Sequence, residues 1–366
     1  MEIHGFVSAG AFKTSGNNYL ARDSEHGSFE FSEAGLNFTK TLGDDFRIGL
    51  QLFARDVGPI GDYKPQLDWY YLDYRATDWL GLRAGRLKLP LGLYNETSDV
   101  DSARVPVLLP QSLYPIQSRD YYLAQTGGEV YGLVELGAAG ALDYRAYGGT
   151  IFIDVPAYSA IGTTAVSIPY LYGGRVLWRT PLYGLQAGAS AQRLRLDVHY
   201  TPNRDVLATY PMPLPADFDG NVELRAPITL FIASLEASVD ELLVAAEYMR
   251  QWARIESSFP EVYEPTTTTS EGFYVMASYH VTSWFTPGAY YSIRYPNVDD
   301  RHGRDAYQHD LALSFRYDLT DHWLVKLEGH FMSGTAALDP SLNDGTPRAE
   351  LTRDWSAVFA KTTAYF

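Results

Sequence analysis

Along most of this chain apolar and polar residues alternate with a period of two, and the alternation breaks at short intervals. A period of two puts successive side chains on opposite faces of a strand. In 308–318, His309, Leu311, Leu313, Phe315 and Tyr317 share one face, and Asp310, Ala312, Ser314, Arg316 and Asp318 share the other. In 46–56, Ile48, Leu50, Leu52 and Ala54 oppose Arg47, Gly49, Gln51, Phe53 and Arg55. The pattern predicts strands over 2–12, 29–39, 46–56, 67–77, 80–87, 127–136, 141–151 and 171–180. It continues over 185–198, 228–238, 242–254, 271–281, 285–295, 308–318, 323–333 and 352–366. No helical period and no sequence repeat stands out.

The connections alternate in length. Tight turns such as Leu42-Gly-Asp-Asp45, Gly137-Ala-Ala-Gly140 and Val239-Asp-Glu241 alternate with long loops at 13–27, 58–65, 88–126, 152–170, 199–227, 255–270, 296–307 and 334–351. About sixteen strands, with short turns on one side and long loops on the other, predict an all-β, transmembrane antiparallel barrel. A soluble sandwich also alternates, but nothing in it would sort connections by length. The whole chain, 1–366, reads as a single domain with no linker.

Composition fits that reading. The formal net charge of −15 argues against a nucleic-acid binder, which needs a basic face. With 28 Tyr, 17 Phe and 7 Trp, aromatics are abundant in a chain only 20% charged. The outward face of many strands begins or ends in one: Tyr70, Tyr74, Trp178, Phe285, Phe315, Tyr317, Trp323 and Phe331. Amphipathic rings settle at the headgroup level of a bilayer, so these predict two girdles. There are no cysteines, which removes thiolate chemistry. The start, Met1-Glu-Ile-His, has no basic or apolar leader, so export implies a leader already removed.

Sixteen strands spaced ~4.8 Å and tilted ~40° close at a diameter of roughly 30 Å, too wide for side chains to fill. One loop is suited to narrow that lumen. Residues 88–126 hold Pro90, Pro106, Pro110 and Pro115, which stop a ladder, and the apolar run Val105-Pro-Val-Leu-Leu109, which water would not keep exposed. The expectation is an inward-folded third loop forming a constriction.

At this point the chain resembles the porins of Gram-negative outer membranes, in which the third long loop folds into a sixteen-stranded barrel. The segment Gly85-Arg-Leu-Lys-Leu-Pro-Leu-Gly-Leu93, with Glu96 after it, resembles a motif of the phosphate-selective porin O/P family, departing from it at Arg86, Leu87 and Leu91. The C-terminal Phe366, on a strand carrying Val358, Ala360, Thr362 and Ala364 on the same face, resembles the signal read by the barrel-assembly machinery. The resemblance implies a homotrimer in outer-membrane lipid and lipopolysaccharide that passes small hydrophilic solutes and ions by diffusion, with no cofactor and no enzymatic activity.

Selectivity in such a channel comes from pore radius and charge. Alternation points Arg47, Arg75, Arg83, Arg145, Arg175 and Arg179 into the lumen from the third to eighth strands, with Glu129 among them. The loop supplies Glu96, Asp99 and Asp101, and also Lys88, Arg104 and Arg119 as anion contacts or as anchors to Asp73, Glu129 or Glu135. A basic wall facing an acidic loop would set up a transverse field; the alternative is that these charges pair and stiffen the lumen. Arg86 has outward parity unless a bulge intervenes. Two other functions stay open: a solute-specific channel for phosphate or another anion, and a barrel enzyme or scaffold, for which Ser333 and His330 are the nearest candidate pair. No histidine shows a metal-ligand spacing.

Overall fold

The computed structural model describes residues 1–153, 163–201, 220–261 and 263–366; parts of the expected loops 152–170, 199–227 and 255–270 lie outside these. The described residues form β1 (Glu2–Ser15), β2 (Phe31–Leu42), β3 (Phe46–Val57), β4 (Gln66–Thr77), β5 (Leu80–Lys88), β6 (Ala124–Glu135), β7 (Ala141–Phe152) and β8 (Thr163–Arg179). They continue as β9 (Leu185–Tyr200), β10 (Val222–Val239), β11 (Leu242–Ser257), β12 (Thr266–Tyr279), β13 (Phe285–Tyr295), β14 (Gln308–Thr320), β15 (Trp323–Gly334) and β16 (Asp354–Tyr365). Each strand pairs antiparallel with its sequence neighbours, and β1 pairs with β16 to close the barrel. Phe366 completes the seam: its N–H donates to the Gly5 carbonyl at 3.0 Å, and Gly5 N–H returns the bond at 3.1 Å.

The alternation sorts the two faces. Outward residues such as Leu72, Leu82, Val176, Leu235, Val275, Leu313, Leu327 and Val358 are exposed, whereas inward polar residues such as Ser190, Gln192, Ser234, Ser314 and Thr363 are buried. Outward aromatics gather near the short turns. Phe46 stacks on Tyr74 and Phe285 on Tyr317, at 4.8 and 5.1 Å between ring centroids. Trp178 donates its indole N–H to the Ala139 carbonyl at 2.8 Å while its ring stays exposed. A ring with a satisfied polar edge and an open apolar face suits a lipid–water boundary.

The strands are longer than expected at their long-loop ends. β8 starts at Thr163 rather than at 171, and β10 at Val222 rather than at 228. Both extensions contain a proline: Pro169 falls in a register shift between Ser167 and Tyr170 on the β9 side, and the β11 ladder skips Pro227. A strand spanning the bilayer at a tilt needs only about 9–11 residues, so the 16 to 18 residues of β8 to β11 carry a wall beyond it.

The third long loop is slightly shorter than the expected 88–126, because Lys88 ends β5 and Ala124 begins β6. Its neck is closed by backbone and one amide: Leu89 N–H meets the Leu123 carbonyl at 2.8 Å, and buried Asn95 donates to the Leu89 and Tyr122 carbonyls at 2.9 and 2.8 Å. Its apolar residues pack on inward side chains around the barrel. Val107 and Leu108 join Phe12, Phe31, Trp355 and Phe359; Leu89 and Leu91 join Leu171, Leu194 and Ile232; Leu109 and Tyr114 join Tyr274, Met276 and Tyr290. The segment thus clusters with buried residues of β1, β2, β8 to β13 and β16.

Candidate functional site

The loop is fastened to the wall by charges and by carboxylates that accept its backbone N–H groups. On β15, Glu328 accepts from Val107 N–H at 2.7 Å and Leu108 N–H at 2.9 Å. The same carboxylate meets Ser314 and His330, and His330 reaches Asp310 at 3.0 Å through its other ring nitrogen. On β11, Glu247 accepts from Leu93 N–H at 2.9 Å, from Ser234 and Tyr274 hydroxyls, and from the Tyr114 hydroxyl of the loop. Loop donors would be costly to bury unpaired, and these two glutamates satisfy four of them, three backbone N–H groups and the Tyr114 hydroxyl.

A second fastening is ionic. Asp101 of the loop pairs with Lys326 at 2.9 Å and lies 3.4 Å from Lys361, all three fully buried; Lys361 also pairs with Glu33 at 2.7 Å. Burial alone would raise the Asp101 carboxyl, but the neighbouring Lys326, Lys361 and Arg104 cations hold it far below the usual carboxylate range. Asp99 pairs with Lys88 at 2.5 Å and accepts from Gln51 at 3.0 Å. There too burial works upward, and Lys88 and Arg119 outweigh it, bringing the carboxyl down to about 2. Arg119 grips Asp68 through two bonds of 3.0 and 2.7 Å and lies 4.3 Å over the Phe53 ring.

Opposite, on β4 to β8, the wall stays open. Arg145 and Arg175 both reach Glu96, at 2.6 and 3.1 Å, and Arg83 pairs with Asp73 at 3.2 Å and Glu129 at 3.4 Å. The side chains of Arg83, Glu96 and Asp143 keep 25, 26 and 22% of their surface exposed, against 0% for Lys326, Lys361 and His330. Charges on the β4 to β8 side are thus partly open, whereas Lys326, Lys361 and His330 on β15 and β16 are enclosed.

The sequence-predicted residues thus divide. Lys88, Glu96, Asp99, Arg119, Arg83, Arg145, Arg175 and Glu129 come together where the loop meets β3 to β8. Asp101 reaches the far side of the barrel, and Arg104 binds back within the loop, to the Ser98 carbonyl at 2.7 Å. Arg119 and Lys88 anchor to Asp68 and Asp99, not to Asp73, Glu129 or Glu135. Arg47, Arg75 and Arg179 do not reach the loop: each sits beside a short turn and is exposed, Arg75 pairing with Asp78 at 2.8 Å. Their distance along the strand, which parity ignores, keeps them away from the loop. Ser333 and His330 do not meet. His330 is buried inside the barrel, whereas Ser333, three residues on, faces the other way and donates to Asp354.

Arg86 was unplaced by alternation. Gly85 has a φ of +139°, and a Cβ there would lie 2.3 Å from the Tyr70 carbonyl oxygen. At this twisted glycine Arg86 lines a cavity with Arg83, Lys88, Glu96 and Glu129, despite its outward parity. A bulge also hid Asp68: the β3–β4 ladder passes from Gln51–Trp69 to Leu52–Leu67 and skips it. Glu247 and Glu328 hold the loop through its backbone N–H groups, and such partners leave no mark in a sequence.

No protein-family model matches the chain, and no curated protein sequence matches it. Solved structures do. OmpT of Vibrio cholerae superposes with a TM-score of 0.63 at 12% identity, covering 100% of this chain and 97% of that one. The anion-selective porin from Comamonas acidovorans gives 0.60 at 11%, covering 100% and 99%. The outer membrane channel DcaP of Acinetobacter baumannii gives 0.58 at 10%, covering 100% and 96%. The Vibrio cholerae protein also matches in a trimer form. The chain shares the closed sixteen-strand fold of these outer-membrane barrels.

Proposed function

We propose that the chain is a porin of the bacterial outer membrane, a water-filled channel for passive diffusion of small hydrophilic solutes and ions. The observation that carries this reading is a closed barrel, apolar outside, whose interior is crossed by a loop tied to the wall on both sides. Backbone polar groups in a bilayer must be satisfied internally, and a closed barrel does so. Its outer belt has no partner but hydrocarbon, and a polar interior of this width holds water. The loop 89–123 is then the constriction, and the conducting path runs past the part-exposed charges of β4 to β8, Arg83, Glu96 and Asp143 among them.

In that path Arg83, Arg145 and Arg175 are paired with carboxylates, which shortens the field across the water, and Arg86 is left as the cation without a described carboxylate partner. The chain performs no chemistry on its solute. Outer-membrane lipid and lipopolysaccharide surround it, Phe366 serves as the assembly signal, and the trimer form among its structural neighbours supports a homotrimer. Planar-bilayer recording tests the reading. Current steps that scale linearly with KCl concentration support a diffusion channel; a folded protein that inserts and gives no steps overturns it.

A further inference from the structure

We propose that the barrel wall carries a binding site for small aromatic carboxylates, formed by Arg86 and the stacked rings of Trp69 and Tyr71. This rests on the channel reading above and names a solute class for it. The starting point is a charge left over. Around the cavity, Arg83, Lys88, Arg145 and Arg175 each contact a carboxylate. Arg86 makes no ion pair with any described carboxylate; its Nε donates to the Asp68 carbonyl at 2.6 Å, and the residue lines a cavity of about 230 Å³. A guanidinium fork matches a carboxylate with two parallel bonds.

The wall beside it is aromatic. Trp69 and Tyr71 share the inward face, with ring centroids 5.6 Å apart and planes 13° from parallel. Both line the same cavity and both are half-buried. Neither ring is loose. The Trp69 indole N–H donates to Gln51, and Tyr71 lies over Gly49, where a Cβ would sit 2.7 Å from its Cζ. A platform fixed before the ligand arrives loses little freedom on binding.

Phosphate fits this site poorly. It gains most from several unpaired cations, and here Glu96 and Glu129 line the cavity and neutralise the others. A monoanion needs only Arg86, and a flat ring adds stacking that phosphate and acetate cannot.

The test uses the full chain in planar bilayers with benzoate, acetate and phosphate as probes, together with equilibrium dialysis of benzoate against detergent-folded protein. Benzoate should interrupt the current at about tenfold lower concentration than acetate or phosphate. Arg86→Gln and Trp69→Leu should each weaken benzoate about tenfold, in dialysis as in current, with the heat-resistant folded band on gels unchanged. Arg86→Lys should recover only part of the loss. Equal block by all three anions, or benzoate binding unchanged in both variants, overturns the site. Dialysis that shows ring-dependent binding without any conductance overturns the channel reading and keeps the site; conductance without benzoate binding does the reverse.

Discussion

Glu328 on β15 accepts the backbone N–H of Val107 at 2.7 Å, so a carboxylate of the wall completes the fold of a loop more than two hundred residues earlier in the chain. Truncating it in Glu328→Ala leaves Val107 and Leu108 N–H groups buried without an acceptor and removes a partner of His330. The expected cost is about 3 kcal/mol, and it falls on the loop before it reaches the barrel. Single-channel recording should show higher current noise and larger steps than wild type, with the folded band on gels retained.

Asp101→Asn removes the charge that faces both Lys326 and Lys361. Lys361 would keep Glu33, and Lys326 would retain only backbone carbonyls among its described partners. Breaking one side of a buried pair costs about 3–5 kcal/mol, and a neutral amide does not repay it. Thermal unfolding in detergent should show a marked drop in melting temperature. The Asp101→Asn, Lys326→Met double variant should recover much of it, because the unpaired charge goes with the change.

Acid should release the other anchor. The Asp99 carboxyl falls from the ordinary 3.8 to about 2, below its unfolded value. Such a group contributes stability above the unfolded value and loses it as pH falls through the folded one. Anchoring by Lys88 and Arg119 should therefore be constant from neutral pH down to about 4 and be lost between about 4 and 2, a loss of roughly 2 kcal/mol. Conductance measured at fixed salt should be flat over the first range and should change over the second; Asp99→Asn should abolish that change.

Gly85→Ala places a Cβ against the Tyr70 carbonyl at a backbone angle that L residues avoid. Relief requires β5 to untwist, which returns Arg86 to the outward face. The expected result is a loss of about 1–3 kcal/mol and a reversal potential in a KCl gradient shifted toward cations. A reversal potential identical to wild type in a folded variant would contradict the assignment of Arg86 to the lumen.

The strand centres and the closure were legible because a two-sided barrel writes its faces into every second residue; β13 runs over the same residues, Phe285–Tyr295, that alternation predicts. The loop was legible from its length and its buried apolar run. What escaped has common causes. Pro169 and Pro227 look like strand ends, but Pro169 is absorbed by a register shift and Pro227 by a gap in the β11 ladder that keeps its register. Asp68 and Arg86 sit at a bulge and a twisted glycine, where counting by two fails. Arg47, Arg75 and Arg179 have the right parity and the wrong height. Pairing partners such as Asp101 with Lys326 are 225 residues apart, and no local rule reaches that far.

The central claim is that the loop 89–123, held inside the barrel, sets the width of the channel. Replacing 97–118 by a short Gly-Ser linker and recording single-channel conductance in planar bilayers tests it most directly. The account predicts a folded, heat-resistant barrel whose conductance per channel is several-fold higher than wild type. A folded barrel with unchanged conductance would contradict it.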